Sequence, residues 1–485
     1  MNAKQVAAVD LGATSGRVML ATVGPGVLKM HAVARFPNDP VRLWNGTRTA
    51  LHWDVAALFE QACRGLGSAA SQADALIGIG VDSWAVDYAL LRGGQLLGLP
   101  HHYRDGRTAA GVEAVHEVIA HDDLFQRNGL QFLPFATVYQ LASERMSGML
   151  DLADQALLVP DLLGYWLTGH AVTERTNAST TGLYRLDGAL DVDLCAQLGV
   201  PTDLFPVPVD PGGVLGPALP DVAERLGLGS DVVVSTVASH DTASAVAAVP
   251  MDATSAAYIS CGTWGLVGVE VPRPVVSPEV RHARFTNEAG LDGRIRLLHN
   301  VMGLWLLSES IQTWERGGGL VDLPELLTQA AECPPTIAVF DTDDPRFLPA
   351  GDVPVRIEQW YTERDLPVPP SRPHLVRAII DSLAVSFSSA VHTAAALSGV
   401  GVRRIHLVGG GALNTLLCQS IADRAGVSVL AGPVEATALG NVLVQARTHG
   451  LVRGDLETLR ALVAATYAPR TYTPRLRRSG SRALV

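Results

Sequence analysis

Runs of apolar residues alternate with amphipathic stretches along the chain. Residues 8–20 begin apolar, pass through a polar glycine turn and become apolar again, a pattern that predicts a β-hairpin. Apolar runs at 75–81, 232–237 and 404–408 predict buried strands. Because amphipathic stretches separate these strands, the pattern predicts an α/β protein whose mixed sheets are covered by helices.

Several stretches have helical periodicity. The apolar spacing of residues 58–66 marks one helical face, and Asp54 just before it is expected to be the N-cap. Residues 110–200 are mainly helical in pattern. The long run 375–397 carries little charge, which predicts a helix buried between layers. Residues 299–305 are expected to open a further apolar helix.

The hairpin pattern occurs twice. Residues 255–270 repeat the strand, glycine turn and strand of residues 8–20 in pattern rather than identity, which suggests a duplicated domain. We therefore expect an N-terminal domain over 1–248, a C-terminal domain over 249–465 and a basic tail over 466–485. The cleft between the two halves is the expected site.

Composition restricts the class of protein. The chain has 485 residues and a net charge of −11, which argues against nucleic acid as a partner because phosphate backbones require a basic face. No run of about 18 apolar residues is present, so no membrane partner is expected. The N-terminus lacks a secretory pattern and the five cysteines are scattered, so a cytoplasmic location is expected.

Three glycine features suggest a nucleotide site. The turn at 10–17 offers hydroxyls and backbone N–H groups to phosphates, with Asp10 suited to magnesium. Residues 260–265 form a second such turn, and 409–411 would let a nucleotide lie against bare backbone at a helix start. Each feature is also compatible with an ordinary tight turn. Neither a Rossmann fingerprint nor a P-loop is present.

Asp241 is the candidate catalytic base. It follows the buried strand at 232–237 and precedes a helical stretch, where an ionised carboxylate can accept a proton from a sugar hydroxyl. The alternative is a structural N-cap aspartate. His240 and Thr242 are positioned to flank a substrate, although a histidine in such a loop is often structural.

A sugar pocket needs planar polar side chains and an aromatic or apolar platform. Separate loops supply these residue types, each of which has a structural alternative: Asp82, Trp84, Asp87, Tyr103, Arg104, Asp105, Gln131 and Asn300.

Five short motifs together resemble those of the FGGY carbohydrate kinases: 9–17, 238–244, 260–264, 408–411 and 432–436. The resemblance implies two duplicated actin-like ATPase (ribonuclease H-like) domains with a cleft between them. Longer stretches resemble the subgroup of this family that phosphorylates L-rhamnulose: 98–105, 131–135, 176–181 and 300–307.

The resemblance implies ATP-dependent, magnesium-assisted phosphorylation of L-rhamnulose to L-rhamnulose 1-phosphate by direct in-line transfer, with Asp241 as the base and Asp10 on the metal side. The implied nucleotide-binding residues are Ala13, Thr14, Ser15, Gly16, Arg17, Thr263, Ser308 and Gly410. The implied sugar-binding residues are Ala85, His240, Asp241, Thr242 and Asn300. Two positions depart from the family pattern, since Ala85 replaces a glycine and Ser308 replaces a glutamine.

Other functions stay open at this point. The runner-up is a kinase of the same family for another ketose, such as L-fuculose or xylulose, because one methyl group at Ala85 changes discrimination only modestly. A non-catalytic sugar or nucleotide sensor and a structural polymer subunit are alternatives from other classes. The expected partners are a ketose and ATP, with the protein a monomer or a small homo-oligomer.

Overall fold

The computed structural model describes residues 3–475, in two compact units. Within the described residues, the first unit comprises 3–250, 270–297 and 435–467, and the second comprises 251–269, 298–434 and 468–475. The chain first passes from one unit to the other between Pro250 and Met251, beside the predicted boundary at 248. Two later segments that the sequence assigned to the C-terminal half group with the first unit. Most of the basic tail, with Arg477, Arg478 and Arg482, lies outside the described residues.

Strands and helices alternate along much of the chain. The strands are β1 (Lys4–Leu11), β2 (Ser15–Gly24), β3 (Val27–Pro37), β4 (Val41–Trp44), β5 (Thr49–His52), β6 (Leu76–Ser83), β7 (Tyr88–Arg92), β8 (Gln95–Leu96), β9 (Gln155–Leu158), β10 (Thr173–Glu174), β11 (Pro208–Val209), β12 (Val214–Pro217), β13 (Val233–Ser235), β14 (Ala256–Cys261), β15 (Trp264–Val271), β16 (Thr286–Ala289), β17 (Ile295–Met302), β18 (Arg404–Val408), β19 (Ser428–Ala431) and β20 (Arg470–Tyr472).

The α-helices are α1 (Val55–Gln72), α2 (Thr108–Val118), α3 (His121–Asn128), α4 (Thr137–Met146), α5 (Val159–Thr168), α6 (Arg175–Ala178), α7 (Val192–Leu198), α8 (Pro220–Leu226), α9 (Asp241–Ala247), α10 (Pro278–His282), α11 (Trp305–Arg316), α12 (Leu323–Glu332), α13 (Val353–Thr362), α14 (Arg372–Ser398), α15 (Thr415–Ala425), α16 (Ala436–Thr448) and α17 (Leu456–Thr466).

The two main sheets have matching strand orders. The first is β12-β13-β6-β1-β2-β3, in which β1 runs antiparallel to β2 and parallel to β6, and β6 runs parallel to β13. The second is β16-β17-β15-β14-β18-β19-β20, in which β14 runs antiparallel to β15 and parallel to β18, and β18 runs parallel to β19. The predicted duplication is therefore confirmed at the level of topology.

The apolar pattern located most elements correctly. Asp54 caps α1 by accepting a hydrogen bond from the Ala57 N–H at 3.0 Å, as predicted. The long helix α14 has the length and composition to cross a membrane, but 72% of its most apolar stretch is buried inside the protein. It packs against α12, α15 and β14 in the second unit, which makes it a core helix.

One local prediction was wrong. Residues 299–302 belong to strand β17, and the helix begins only at Trp305, because this stretch lies beside β15 in the second main sheet. An apolar run of this length fits a strand or a helix equally well. Residues 175–178 form the short helix α6, whose first N–H groups are capped by Glu174.

Candidate active site

Three aspartates lie at or beyond the carboxyl ends of parallel strands of the first sheet. Asp10 near the end of β1 and Asp82 near the end of β6 are direct partners in the register of the two strands. Asp241 follows β13, and its neighbour His240 pairs with Ser83 at the end of β6. The carboxyl ends of parallel strands share one edge of a sheet, so the sequence of the first unit gathers three carboxylates there.

Arg17 holds the buried Asp10 carboxylate. Asp10 is 1% exposed, and its Oδ2 accepts a hydrogen bond of 2.8 Å from the Nε of Arg17 and lies 2.8 Å from an Nη atom in an ion pair. The other Nη atom of Arg17 lies 2.7 Å from the Glu435 carboxylate. Burial raises the pKa of Asp10 above its usual value, although the arginine opposes the shift. Arg17 therefore bridges two carboxylates, and its charge is already engaged by the protein.

Asp82 is completely buried. Its Oδ2 accepts a hydrogen bond of 2.6 Å from Asn441, whereas its Oδ1 has no hydrogen-bond partner among residues 3–475. Burial raises the pKa of Asp82 well above its usual value, and the nearby charge of Asp10 adds to the shift. A buried carboxylate oxygen without a donor is suited to a cation or a proton.

Asp241 is the first residue of α9, and its side chain is 30% exposed. Its Oδ1 accepts hydrogen bonds from the Thr242 N–H at 2.6 Å and the Thr242 hydroxyl at 3.2 Å. His240, not Asp241, occupies the N-cap position, so the structural alternative of an N-cap aspartate does not apply. Burial and the charge of Asp10 raise the pKa of Asp241 to about 7. A carboxylate with this pKa is well matched to accept a proton near neutral pH.

His240 connects the candidate base to a buried ion pair. Its Nδ1 lies 3.1 Å from an Nη atom of Arg296, and Arg296 lies 3.1 Å from Glu288. Because arginine only donates, Nδ1 of His240 is the acceptor, which leaves the proton on Nε2, 3.3 Å from Asp241 Oδ1. Burial, assisted by Arg296, lowers the pKa of His240 well below its usual value. The imidazole is therefore a neutral donor facing the Asp241 carboxylate.

The loop that carries His240 is fixed by Glu174. This buried carboxylate accepts hydrogen bonds from the Ser239 N–H at 3.0 Å and the Ser239 hydroxyl at 2.9 Å. It also accepts from Thr176, whose hydroxyl in turn accepts from the His240 N–H at 3.3 Å. The segment before the candidate base is therefore held rigidly by α6 and the strand before it.

The turn between β1 and β2 leaves its hydroxyls available. The Thr14 and Ser15 side chains are exposed, and Ala13 is half-buried. The Gly12 N–H donates to the Ser15 carbonyl at 2.9 Å, which closes the turn. Gly16 packs against the ring of Phe36, where an added Cβ would lie only 2.1 Å from a ring carbon. The turn thus presents its two hydroxyls at the surface, and Gly16 lets the backbone pack closely against Phe36.

In the second unit, the other two glycine features lie together. Ser260 pairs with Val408 in the parallel register of β14 and β18, and an added Cβ at Gly409 would lie 2.8 Å from the Cys261 carbonyl oxygen. An added Cβ at Gly410 would meet nothing within 4 Å. Close packing therefore explains Gly409, whereas the bare backbone at Gly410 faces open space.

Thr263 and the start of α11 are joined. The Thr263 carbonyl accepts a hydrogen bond of 3.1 Å from the Trp305 N–H, and Gly262 accepts one of 2.9 Å from Leu304. Ser308 is exposed one turn further along α11. Asn300 lies half-buried on β17. The second unit thus brings the Thr263 turn beside the helix that carries Ser308.

Some residues proposed for sugar binding are structural. Asp87 is buried and accepts hydrogen bonds from the indoles of Trp53 at 2.6 Å and Trp84 at 3.1 Å, and from Gln140 at 2.8 Å. Asp105 forms an ion pair with Arg48 and accepts from the Leu51 N–H at 2.8 Å. Both carboxylates are thus engaged within the protein, which favours the structural alternative for each.

Sequence reasoning missed the residues that hold the aspartates or their neighbours in place: Glu174, Glu288, Arg296, Glu435 and Asn441. Only Glu435 lay in a motif that had been singled out, and no role was assigned to it. Asn441 lies 359 residues from Asp82 along the chain. No local pattern signals pairs at such separations.

The carboxylate edge fits a magnesium ion. No group of three or more His, Cys, Asp or Glu side chains with metal-binding geometry occurs among the described residues. Magnesium in phosphate-transferring sites is held by one or two carboxylates together with water and substrate phosphates, so a complete protein cage is not expected. The partnerless Oδ1 of buried Asp82, beside Asp10, is the type of oxygen donor that this ion requires.

The fold and the family are clear from comparisons with known proteins. Residues 5–248 match the N-terminal domain of the FGGY family of carbohydrate kinases, and residues 257–449 match the C-terminal domain of the same family. The chain therefore belongs to the FGGY family of carbohydrate kinases, which confirms the predicted family, enzyme class and use of ATP and a sugar.

The chain is similar to particular relatives along nearly its whole length. It is 38% identical to a rhamnulokinase of Bacteroides thetaiotaomicron over 96% of this chain and 95% of the relative. It is 40% identical to a rhamnulokinase of Pectobacterium carotovorum over 98% of this chain and 94% of the relative. Among solved structures, a gluconate kinase from Lactobacillus acidophilus has a TM-score of 0.77 at 17% identity, covering 98% of this chain and 94% of that one.

A ligand-bound xylulose kinase from Lactobacillus acidophilus has a TM-score of 0.76 at 17% identity, with 97% of this chain and 94% of that chain covered. A glycerol kinase from Plasmodium falciparum with ADP has a TM-score of 0.73 at 13% identity, with 98% and 94% covered. These likenesses confirm the predicted duplicated α/β fold.

Proposed function

We propose that this protein phosphorylates L-rhamnulose at its 1-hydroxyl, using ATP and magnesium, to give L-rhamnulose 1-phosphate. The observation that carries the proposal is its identity of 38–40% with rhamnulokinases over at least 96% of the chain. The partly exposed Asp241 carboxylate, with a pKa raised to about 7, supplies the base that such a reaction requires.

The reaction is a single in-line displacement. As the oxygen of the sugar hydroxyl bonds to the γ-phosphorus, its proton moves to Asp241 and the bond from phosphorus to the β–γ bridging oxygen breaks. Thr242 and the Nε2–H of His240 orient the accepting carboxylate through their contacts with Oδ1. Most of the protein's contribution is therefore positioning and charge stabilisation.

Asp10 and Asp82 are the proposed magnesium side of the site. The ion would neutralise charge on the transferring phosphate and satisfy the partnerless Asp82 Oδ1. Arg17 keeps Asp10 oriented, and it reaches Glu435 as well. Asp10 is thus pre-positioned by the Arg17 guanidinium.

The proposed nucleotide contacts fall into two groups. In the first unit they are the turn residues Ala13, Thr14, Ser15, Gly16 and Arg17. In the second unit they are Thr263, Ser308 and Gly410. The exposed hydroxyls of Thr14 and Ser15 and the open space at Gly410 support this assignment.

The proposed sugar contacts are Ala85, His240, Asp241, Thr242 and Asn300. Because Ala85 carries a methyl group where similar kinases have glycine, a kinase for another ketose such as L-fuculose or xylulose is the second candidate. A non-catalytic sensor is disfavoured, because a sensor has no use for a poised base. We further propose a cytoplasmic enzyme that acts as a monomer or small homo-oligomer.

A screen of ketoses tests the proposal. Purified protein with ATP and magnesium should phosphorylate L-rhamnulose with a kcat/KM above that for L-fuculose, D-xylulose and L-xylulose. A ranking that places L-rhamnulose well below another ketose would transfer the assignment to that sugar. Binding of ATP and ketose without transfer to any of them would favour the sensor.

A further inference from the structure

Val86, the residue after Ala85, has an unusual backbone. Its φ is 68°, in the left-handed region that β-branched residues avoid. The other residues with positive φ among the described part of the chain, glycine aside, are Arg284, Asp292, Asp352 and Asp365. Val86 is thus the β-branched member of this set, and it is only 8% exposed. Such a backbone persists only where surrounding contacts enforce it.

The carbonyl of Val86 is clamped by helix α4. It accepts a hydrogen bond of 2.7 Å from the Thr137 hydroxyl and a weaker one of 3.4 Å from the Gln140 amide. Thr137 is 0% exposed and Gln140 is 1% exposed. Both donors therefore belong to the packed interior and hold one end of the strained peptide in place.

The next residue is clamped as well. Asp87 accepts hydrogen bonds from Gln140 at 2.8 Å, from the Trp53 indole at 2.6 Å and from the Tyr103 N–H at 3.2 Å. Donors from three separate parts of the chain thus converge on one carboxylate. The strain at Val86 is fixed between this anchor and the helix.

The strained turn presents Ala85. Residues 81–91 are all buried except Ala85, which is half-buried. The same segment starts beside the candidate base, since the Ser83 N–H donates to the Ser239 carbonyl at 2.9 Å and Trp84 donates to Leu11 at 3.2 Å. The reversal at Val86 therefore turns one small residue outward next to the carboxylate edge.

We infer that Val86, Thr137 and Gln140 are positioning residues that hold the Ala85 backbone in place to bind the ketose. The inference rests on the proposed sugar-kinase function and deepens it. The strained turn brings the backbone at Ala85 to the sugar, so no large side chain has to reach the sugar. It also leaves room for the sugar to bind. Loosening the clamp then weakens sugar binding specifically.

The first test removes the Thr137 hydroxyl. Thr137→Val, which keeps the side-chain shape, should raise the KM for the ketose about tenfold while kcat and the KM for ATP change less than about twofold. Thr137→Ser restores the hydroxyl and should restore the KM. Thr168→Val is the matched control, because its buried hydroxyl donates to the Gly164 carbonyl at 2.8 Å on another helix. A ketose KM for Thr137→Val equal to that of Thr168→Val would overturn the inference.

The second test separates binding from stability. Val86→Ala and Val86→Gly both remove the side chain, but only glycine relieves the positive φ. The glycine variant should therefore unfold at a higher temperature than the alanine variant. Because glycine also allows other backbone conformations, it should hold Ala85 less firmly and have the higher KM for the ketose. A structural role alone would make stability and affinity change together. Equal ketose KM values for the two variants would contradict the inference.

The design keeps the two proposals apart. The rate of the wild-type protein with L-rhamnulose tests the proposed function. The ratio of variant to wild-type KM is measured with whichever ketose the wild type uses best, so it tests the positioning role even if that ketose is not L-rhamnulose.

Discussion

The two main sheets have the same topology but different chemistry at equivalent positions. In the first sheet, Asp10 faces Arg17 across the hairpin and Asp82 on the parallel neighbour. In the second sheet, Ser260 faces Leu266 across the hairpin and Val408 on the parallel neighbour. Three charged residues in the first sheet thus correspond to a serine and two apolar residues in the second sheet.

The loops that follow differ in the same way. In the first unit, the segment after β13 delivers the Asp241 carboxylate. In the second unit, the segment after β18 delivers Gly409–Gly411, of which Gly409 and Gly411 pack against Cys261 while Gly410 faces open space. The comparison indicates that duplication supplied the frame, and that charge was concentrated in one copy while the other kept bare backbone.

The largest expected effect comes from removing the base. Asp241→Asn should lower kcat by about 10²–10⁴-fold, because the amide cannot take up the hydroxyl proton, while ATP binding stays nearly unchanged. Single-turnover transfer and nucleotide titration measure the two quantities. Asp221→Asn is the control, since it changes an exposed aspartate in the first turn of a similarly short helix. Full activity in Asp241→Asn would sink the mechanism.

The ion-pair difference between the sheets can be tested at equivalent positions. Arg17→Met leaves the buried Asp10 without its cation, and we expect a loss of about 2–3 kcal/mol in unfolding free energy, reduced by the partial exposure of Arg17. Leu266→Met in the second sheet should cost less than about 1.5 kcal/mol. Denaturant unfolding compares them, and equal losses would remove the proposed asymmetry.

The bare backbone at Gly410 in the second unit can be tested by adding a side chain there. Gly410→Val should raise the KM for ATP about 10–100-fold and leave the ketose KM unchanged, since an added Cβ there meets no protein atom within 4 Å and the side chain would obstruct a ligand. Gly401→Val is the control, because its site is equally open. If both variants bind ATP like the wild type, Gly410 does not contact the nucleotide.

The smallest effect is a pH dependence. The pKa of Asp241 is raised to about 7, and the base works only when deprotonated. The kcat/KM for the ketose should therefore be level above pH 7 and fall about tenfold for each pH unit below it. Rates between pH 5.5 and 9, with the fold checked at each pH, measure this. A profile that stays flat down to pH 5.5 would exclude Asp241 as a base with this pKa.

Sequence patterns predicted much of the frame but few of the contacts. The hairpin at residues 8–20, the buried helix α14 and the duplication followed from apolar spacing alone. The burial of each element imposes that spacing on its own residues. The end of strand β17 was mistaken for the start of a helix, since its place beside β15 is set by the sheet and not by its own pattern. The proposed roles of Asp241 and Gly410 remain predictions.

The contacts that tune the site depend on the folded chain. The donors to Asp87 come from residues 53, 84, 103 and 140, and nothing local distinguishes this structural aspartate from Asp82 or Asp241. Likewise, the backbone of Val86 is enforced by Thr137, which lies 51 residues away. Residue types alone therefore nominated too many ligands and could not reveal the strained turn.

A structure of the protein with L-rhamnulose and a non-hydrolysable ATP analogue tests the central claim most directly. The account predicts a distance of about 2.6–3.2 Å between an Asp241 carboxylate oxygen and the 1-hydroxyl oxygen of the sugar. A sugar whose 1-hydroxyl is held by another group, with Asp241 beyond hydrogen-bond reach, would contradict it.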